Sequence, residues 1–417
     1  MKAEIIAVGS ELLTPTRLDT NSLFLTEQLN RLGIEVVRKV VVGDERNQIR
    51  DAFREALGRV DLVISIGGLG PTEDDRTRES VAELLGRRLQ RNDAVLRNIE
   101  ARFRRLGRAM PEINARQAMV PEGALALENM RGTAPGLWME ADGHIVVLLP
   151  GPPQELRPMF TEEIEPRLAK RSTGVKLFRR ELRVAGMAES EVEQRAAPIY
   201  TRHTDAQTTI LASPGEIQLH LRVWSRDAAA AEKLLNEMVE RIALALGENV
   251  FTTKGESLEE VVARQLTLNN ASIAVAESCT GGLLAERLTS IPGSSSYFLG
   301  GVVCYSNHLK SAWVDVPAEL IEAKGAVSSE VAHALAEGIR RRSGSTLGLG
   351  VTGIAGPGGG SAEKPVGTVH IALTEESNSK ERSMLFPGDR DRIRWQASQT
   401  ALDIVRRYFL YTSRSKP

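Results

Sequence analysis

Cysteine is almost absent. The two that occur, Cys279 and Cys304, cannot staple a chain of 417 residues, so no disulfide framework is expected and a reduced compartment fits best. Aromatic residues are few, and no apolar run is long enough to span a bilayer. The first residues, Met1-Lys2-Ala3-Glu4-Ile5-Ile6-Ala7-Val8, read as a strand: their apolar run is too short for a signal peptide and is cut by Glu4. Neither sign of charge prevails, with 53 Lys and Arg against 54 Asp and Glu. Bulk charge therefore gives no pull toward nucleic acid or an anionic membrane. These absences leave a cytoplasmic protein of two or three domains.

What is present is organised around Ala276-Glu277-Ser278-Cys279-Thr280-Gly281-Gly282. A short buried strand, Ser272-Ile273-Ala274-Val275, precedes it, and Leu283, Leu284, Arg287 and Leu288 begin a helix after it. A hydroxyl-rich Gly-Gly turn at a helix N-terminus leaves backbone N–H groups without partners, which suits an anion or an oxyanion. Ser278 sits in that positive field as a candidate nucleophile, with Cys279 as its rival. The ordinary alternative is a tight βα turn with a hydroxyl cap.

The first part of the chain alternates strand and helix, as a parallel sheet covered on both faces does. Ligands then bind at the carboxyl ends of the strands. Two such ends carry chemistry. One is Gly67-Gly68-Leu69-Gly70-Pro71-Thr72 with Glu73, Asp74 and Asp75, where Gly68, Gly70 and Thr72 let a backbone approach a phosphate. The other is Glu11 with Asp19 and Asn21. Acids beside a phosphate-type turn suggest a divalent metal bridging the two, with Glu11, Asp19, Asp74 and Asp75 as ligands. Gly/Pro-rich loops at Asn129–Gly136, including Thr133, and at Pro150–Pro153 flank later strands.

Residues 173–253 read as a small α+β unit without a Gly-X-X-Gly clamp in Glu189–Thr204, which favours a spacer or dimerising role over RNA binding. Beyond it, three strands end in polar or glycine-rich turns: at Ser278, at Tyr305–Lys310 and at Thr352. On one sheet edge a Ser, a Lys and a Tyr supply a nucleophile and its base. Lys310 serves as base only with a lowered pKa, from burial or a neighbouring cation such as Arg390. Arg390, in a first helical turn where a cation opposes the dipole, also suits a phosphate. Thr280, Gly281, Gly282, Asn307, Gly353 and Gly356 complete the candidate binding set.

Gly-Ser-Glu-Leu-Leu, Asp-Thr-Asn, Gly-Gly-Leu-Gly-Pro-Thr, Gly-Thr-Ala-Pro-Gly and Leu-Pro-Gly-Pro-Pro occur here in an order that resembles the molybdopterin-binding (MoCF-like) domain opening the CinA family. Ala-Glu-Ser-Cys-Thr-Gly-Gly, Tyr-Ser-Asn, Gly-Ala-Val-Ser, Thr-Gly-Ile-Ala-Gly-Pro, Lys-Pro-Val-Gly-Thr-Val and Phe-Pro-Gly-Asp-Arg resemble that family's C-terminal domain. One departure is Thr14-Pro15-Thr16, where family members commonly carry Gly. The resemblance implies an α/β chain with a three-layer αβα MoCF-like domain over residues 1–170, a KH-like α+β domain over 173–253 and an α/β deamidase domain over 256–412. It implies hydrolysis of nicotinamide mononucleotide to nicotinate mononucleotide and ammonia, with Ser278 as nucleophile, Lys310 as its partner, and Tyr305, Thr352 and Arg390 binding or assisting. It implies no cofactor there. For the first domain it implies hydrolysis of ADP-ribose with Mg, Co or Mn, and potassium. A homodimer is expected, with no membrane or nucleic-acid partner. The rival classes are a nucleotide- or pterin-binding scaffold in DNA uptake or repair, and a molybdenum-cofactor enzyme.

Overall fold

The computed structural model of the protein describes residues 1–171 and 173–414. The chain forms two compact units, Met1–Phe178 with Trp224–Ala231, and Arg179–Val223 with Glu232 onward. Among the described residues no helix is long and apolar enough to cross a membrane.

The first unit is built on Lys2–Val8, whose residues from Ala3 on are all buried. It pairs in parallel with Glu35–Val42 on one side and Leu62–Ile66 on the other. Leu62–Ile66 in turn pairs in parallel with His144–Leu149. Glu4, fully buried in this apolar strand, is neutralised by Arg59 at 3.1 Å. Helix Thr20–Arg31 packs Leu25 and Leu29 on one face of the sheet, and Arg46–Leu57 packs Ile49, Phe53 and Ala56 in the core on the other. The result is the expected three-layer αβα arrangement. The sheet is mixed, however: Gly136–Ala141 and Leu125–Leu127 add antiparallel strands at one edge. A two-residue turn, Asp142-Gly143, with both residues at positive φ, folds that edge back as a hairpin.

In the second unit a four-stranded sheet carries the α+β middle region, with helix Glu189–Tyr200. The last region has a five-stranded sheet in the order Phe298–Val303, Ile273–Glu277, Leu347–Gly353, Thr368–Thr374, Ser379–Leu385. The first three strands are parallel and the last two antiparallel. Glu277 is level with Val303 on one neighbour and Val351 on the other, so Ser278, Cys304-Tyr305 and Thr352 leave the sheet on one edge. Ser379–Leu385 escaped sequence reading because it is a charged, mostly exposed edge strand with no alternating pattern.

Helix Ser329–Ser343 lies so close to its neighbours that small residues are obligatory. A Cβ on Gly350 would stand 2.3 Å from the Ala332 carbonyl, and one on Gly338 1.7 Å from the Val314 carbonyl. Gly338→Ala is therefore expected to destabilise by about 1–3 kcal/mol through overpacking, read as a fall of several degrees in the thermal midpoint. An unchanged midpoint would mean that the helix shifts freely.

Candidate active site

Three strand ends assemble the site. Ser278 follows the central strand, and its N–H donates to the Val351 carbonyl at 3.0 Å. Ser306 caps helix Asn307–Val314 by accepting from Leu309 N–H. That helix turns Lys310 inward, leaving it 1% exposed. Its Nζ lies 3.2 Å from Ser278 Oγ and 3.1 Å from each of the Cys304 and Tyr305 carbonyls. Burial lowers the Lys310 pKa, because desolvation penalises the ammonium. Arg390 is not the cause, contrary to one of the two options raised by the sequence. It is exposed, and donates instead to the Tyr305 hydroxyl at 2.9 Å and the Gly356 carbonyl at 2.8 Å, tying the glycine-rich loop to Tyr305.

A neutral Lys310 has two N–H bonds and one lone pair. The two carbonyls take the hydrogens, which directs the lone pair at the Ser278 hydroxyl. That is the geometry of a general base. Cys279, the rival nucleophile, is 4% exposed in the hydrophobic core, and burial pushes its thiol up to about 12. It stays protonated at neutral pH and packs beside Gly353, where a Cβ would come within 3.0 Å of its sulfur.

The turn differs from expectation in which amides it leaves open. The Glu277 carboxylate, 1% exposed, accepts from the N–H groups of Gly282, Leu284 and Ala285 at 2.8–3.0 Å. Gly281 N–H donates to Ser278 O and Leu283 N–H to Thr280 O. The glycines are required for the left-handed bend, with φ of +62° at Gly281 and +93° at Gly282. They are not free donors. Among the described residues the amides of this turn bonded to neither a backbone carbonyl nor Glu277 are those of Cys279 and Thr280. Both act on the Cys279 sulfur, and they are the amides of this turn that a developing oxyanion could claim. Arg394 fastens the next peptide by donating to the Thr280 carbonyl at 2.9 and 3.2 Å.

Thr352 is buried, and its hydroxyl donates to the Ala326 carbonyl at 2.7 Å, which ties it to a neighbouring loop. Asn307 stands exposed in the first turn of its helix.

In the first unit, the ends of the central strands open onto a cavity of about 740 Å³. Gly68, Gly70, Glu11, Asp19, Asn21, Asp74, Asp75, Thr133 and Pro150–Pro153 all line it, so the two acid-bearing strand ends and both later Gly/Pro-rich loops meet there. Thr72 does not line it; its N–H and hydroxyl bond to Asp75. Asp19 is likewise engaged, as the N-cap of helix Thr20–Arg31, accepting from Ser22. Among the described residues no three His, Cys, Asp or Glu side chains come together as a metal-binding group, so the four-acid set is not pre-assembled. The Thr72 side chain, first among the causes, holds the Asp74 carboxyl below its ordinary range. One oxygen is conspicuous. Asn21 is 6% exposed, its Nδ2 donates to the Gly151 carbonyl at 2.7 Å, and its buried Oδ1 has no partner. An orphaned buried acceptor on a cavity wall fits a cation or a ligand donor. Oxygen donors from Asn21, Glu11 and Asp74 are the hard set that Mg or Mn accepts.

Residues 255–409 match the CinA C-terminal domain, residues 4–170 a probable molybdopterin binding domain, and residues 179–252 the damage-inducible protein CinA KH domain. A CinA-like protein of Koribacter versatilis is 49% identical over 411 residues, covering 98% of this chain and 99% of that one. The chain belongs to the CinA family. A putative competence-damage inducible protein of Moorella thermoacetica is 44% identical over 410 residues, covering 97% of this chain and 98% of that one. Among solved structures, the CinA protein of unknown function from Thermoplasma acidophilum is 36% identical, with a TM-score of 0.38, over 40% of this chain and 97% of that one.

Two residues of this CinA chain's site were passed over in the sequence. Glu277 could have been found as an acid set just before a helix N-terminus, where the dipole favours it. Arg394 lies one helical turn beyond Arg390, on the same side of helix Arg390–Arg414.

The lowered Lys310 pKa has a stability signature. Between the folded value and the ordinary value near about 10.4, the unfolded chain binds more protons, so stability rises with pH. The penalty is full below the folded pKa and gone above the unfolded one. The stability of the native protein relative to Lys310→Met is thus expected to improve from pH 7 to pH 10, measured by denaturant unfolding. A flat difference would show that Lys310 titrates normally.

Proposed function

We propose that the C-terminal region is an amidohydrolase that converts nicotinamide mononucleotide to nicotinate mononucleotide and ammonia. The observation that carries this reading is the buried contact between Lys310 Nζ and Ser278 Oγ at 3.2 Å. Lys310 takes the hydroxyl proton as Ser278 Oγ attacks the carboxamide carbon. The oxygen that gains charge faces the Cys279 and Thr280 N–H groups. As the carbon–nitrogen bond breaks, Lys310 returns the proton to the leaving ammonia, and water then hydrolyses the serine ester by the same base. The substrate's single phosphate suits Arg390 and the glycine-rich loop it anchors. Nicotinamide mononucleotide, rather than another carboxamide, rests on the family resemblance.

Ser278→Ala is expected to cut ammonia release at least about a thousandfold, whereas Cys279→Ala keeps it within a few-fold. Full turnover in Ser278→Ala would remove the serine from the mechanism. The rate should rise with pH through a value below that of ordinary lysine, since the base form is the active one.

A second reading concerns the cavity of the first unit. Its glycine-rich strand ends and the unpartnered Asn21 Oδ1 favour a nucleotide, and ADP-ribose hydrolysed to AMP and ribose 5-phosphate is the proposed reaction. A divalent ion held by Glu11, Asp74 and Asn21 would supply charge neutralisation at the pyrophosphate. AMP formation is expected with Mg, Co or Mn and not with chelator; no AMP under any metal would leave this region a binder only.

A further inference from the structure

We propose that the arginine-rich face around helix Asp93–Arg105 binds duplex nucleic acid through its phosphate backbone. The balanced total of 53 basic and 54 acidic residues conceals a local excess: residues 87–108 hold eight arginines, no lysine, and only Asp93 and Glu100 as acids. Arginines elsewhere in this chain are commonly paired, as in Arg59–Glu4, Arg116–Glu79 and Arg407–Asp403. Here Arg88, Arg97, Arg104, Arg105 and Arg108 are exposed, and among the described residues none makes a side-chain hydrogen bond or ion pair.

The helix dipole accounts for part of this charge. Arginines in the last turn, Arg104 and Arg105, are favoured by the negative end. Arg97 in the middle of the helix gains nothing from it, nor does Arg88, before strand Leu89–Arg91. Arg97 and Arg104 are two turns apart, on one side of the helix and about 10 Å from each other. Gly107, at φ +68°, ends the helix, and Arg108 follows with its N–H on the Phe103 carbonyl at 3.0 Å. The charge is thus fixed on a rigid element.

Other polyanions fit less well. The apolar side of the helix, Val95, Leu96 and Ile99, is buried in the core, so it cannot enter a bilayer as the apolar side of a membrane-surface helix does. Among these residues the one aromatic, Phe103, is partly buried in that core, which leaves no stacking platform for a single strand. What remains is a group of exposed planar guanidinium groups on and beside one helix, the chemistry that grips phosphates without reading sequence.

Five such contacts predict that the logarithm of affinity falls with that of salt at a slope near about −4, a loss of several hundredfold between about 50 and 200 mM. The test uses the full chain, a fluorescent 20-base-pair duplex and anisotropy across that salt range. Arg97→Glu/Arg104→Glu/Arg108→Glu should weaken binding more than tenfold and flatten the slope by about 3, while thermal midpoint and ammonia release stay as in the parent. Arg97→Lys/Arg104→Lys/Arg108→Lys should retain salt-dependent binding. Absence of binding at low salt, the same affinity and slope in the glutamate variant, or preferential binding to phosphatidylserine vesicles would each overturn the proposal.

Discussion

An amine buried beneath a sheet edge is the constraint on which the candidate site depends. Water would hold Lys310 as an ammonium and leave Ser278 an ordinary alcohol. Taking the amine out of water weakens that preference, because a charge in a low-dielectric surrounding is costly. The two carbonyls at Cys304 and Tyr305 then decide where the lone pair points. Register supplies the rest. Three parallel strands stop level with one another, so the serine and the carbonyl pair meet around Lys310 Nζ although they are distant in the chain.

The turn after Ser278 divides its amides between two tasks. A helix start exposes several N–H groups, and an anion drawn to all of them would have no defined position. Glu277 occupies three of these, and the bonds within the turn occupy others. The remaining pair lies next to the nucleophile, against the Cys279 sulfur, and Arg394 holds the adjoining carbonyl in place. The buried carboxylate is thereby satisfied by hydrogen bonds, with no ion pair among the described residues. The same logic of committed groups appears in the first unit. There Asp19 and Asp75 serve the backbone, and Asn21 retains one unsatisfied oxygen at the cavity wall.

Much of this was legible in the residues. The alternation of apolar runs and glycine-ended helices announces α/β layers, and the three strand ends at Ser278, Tyr305 and Thr352 are visible as polar turns. The antiparallel edges were harder to read: strand direction depends on pairing, and Ser379–Leu385 is too polar to show a period. Tyr305 stands 55% exposed just beyond its strand, where Arg390 holds its hydroxyl, a contact between distant segments that no local pattern announces.

By itself the chain's order of residues determined the layers, the hydroxyl turn, the glycines that bend it and the candidate partners, since these follow from periodicity and local backbone preference. Only the folded structure decided which thiol is inert, which amides Glu277 takes, why the Lys310 pKa falls and where uncompensated arginines gather. Those properties come from burial and from bonds between distant segments, and neither exists until the strands pair.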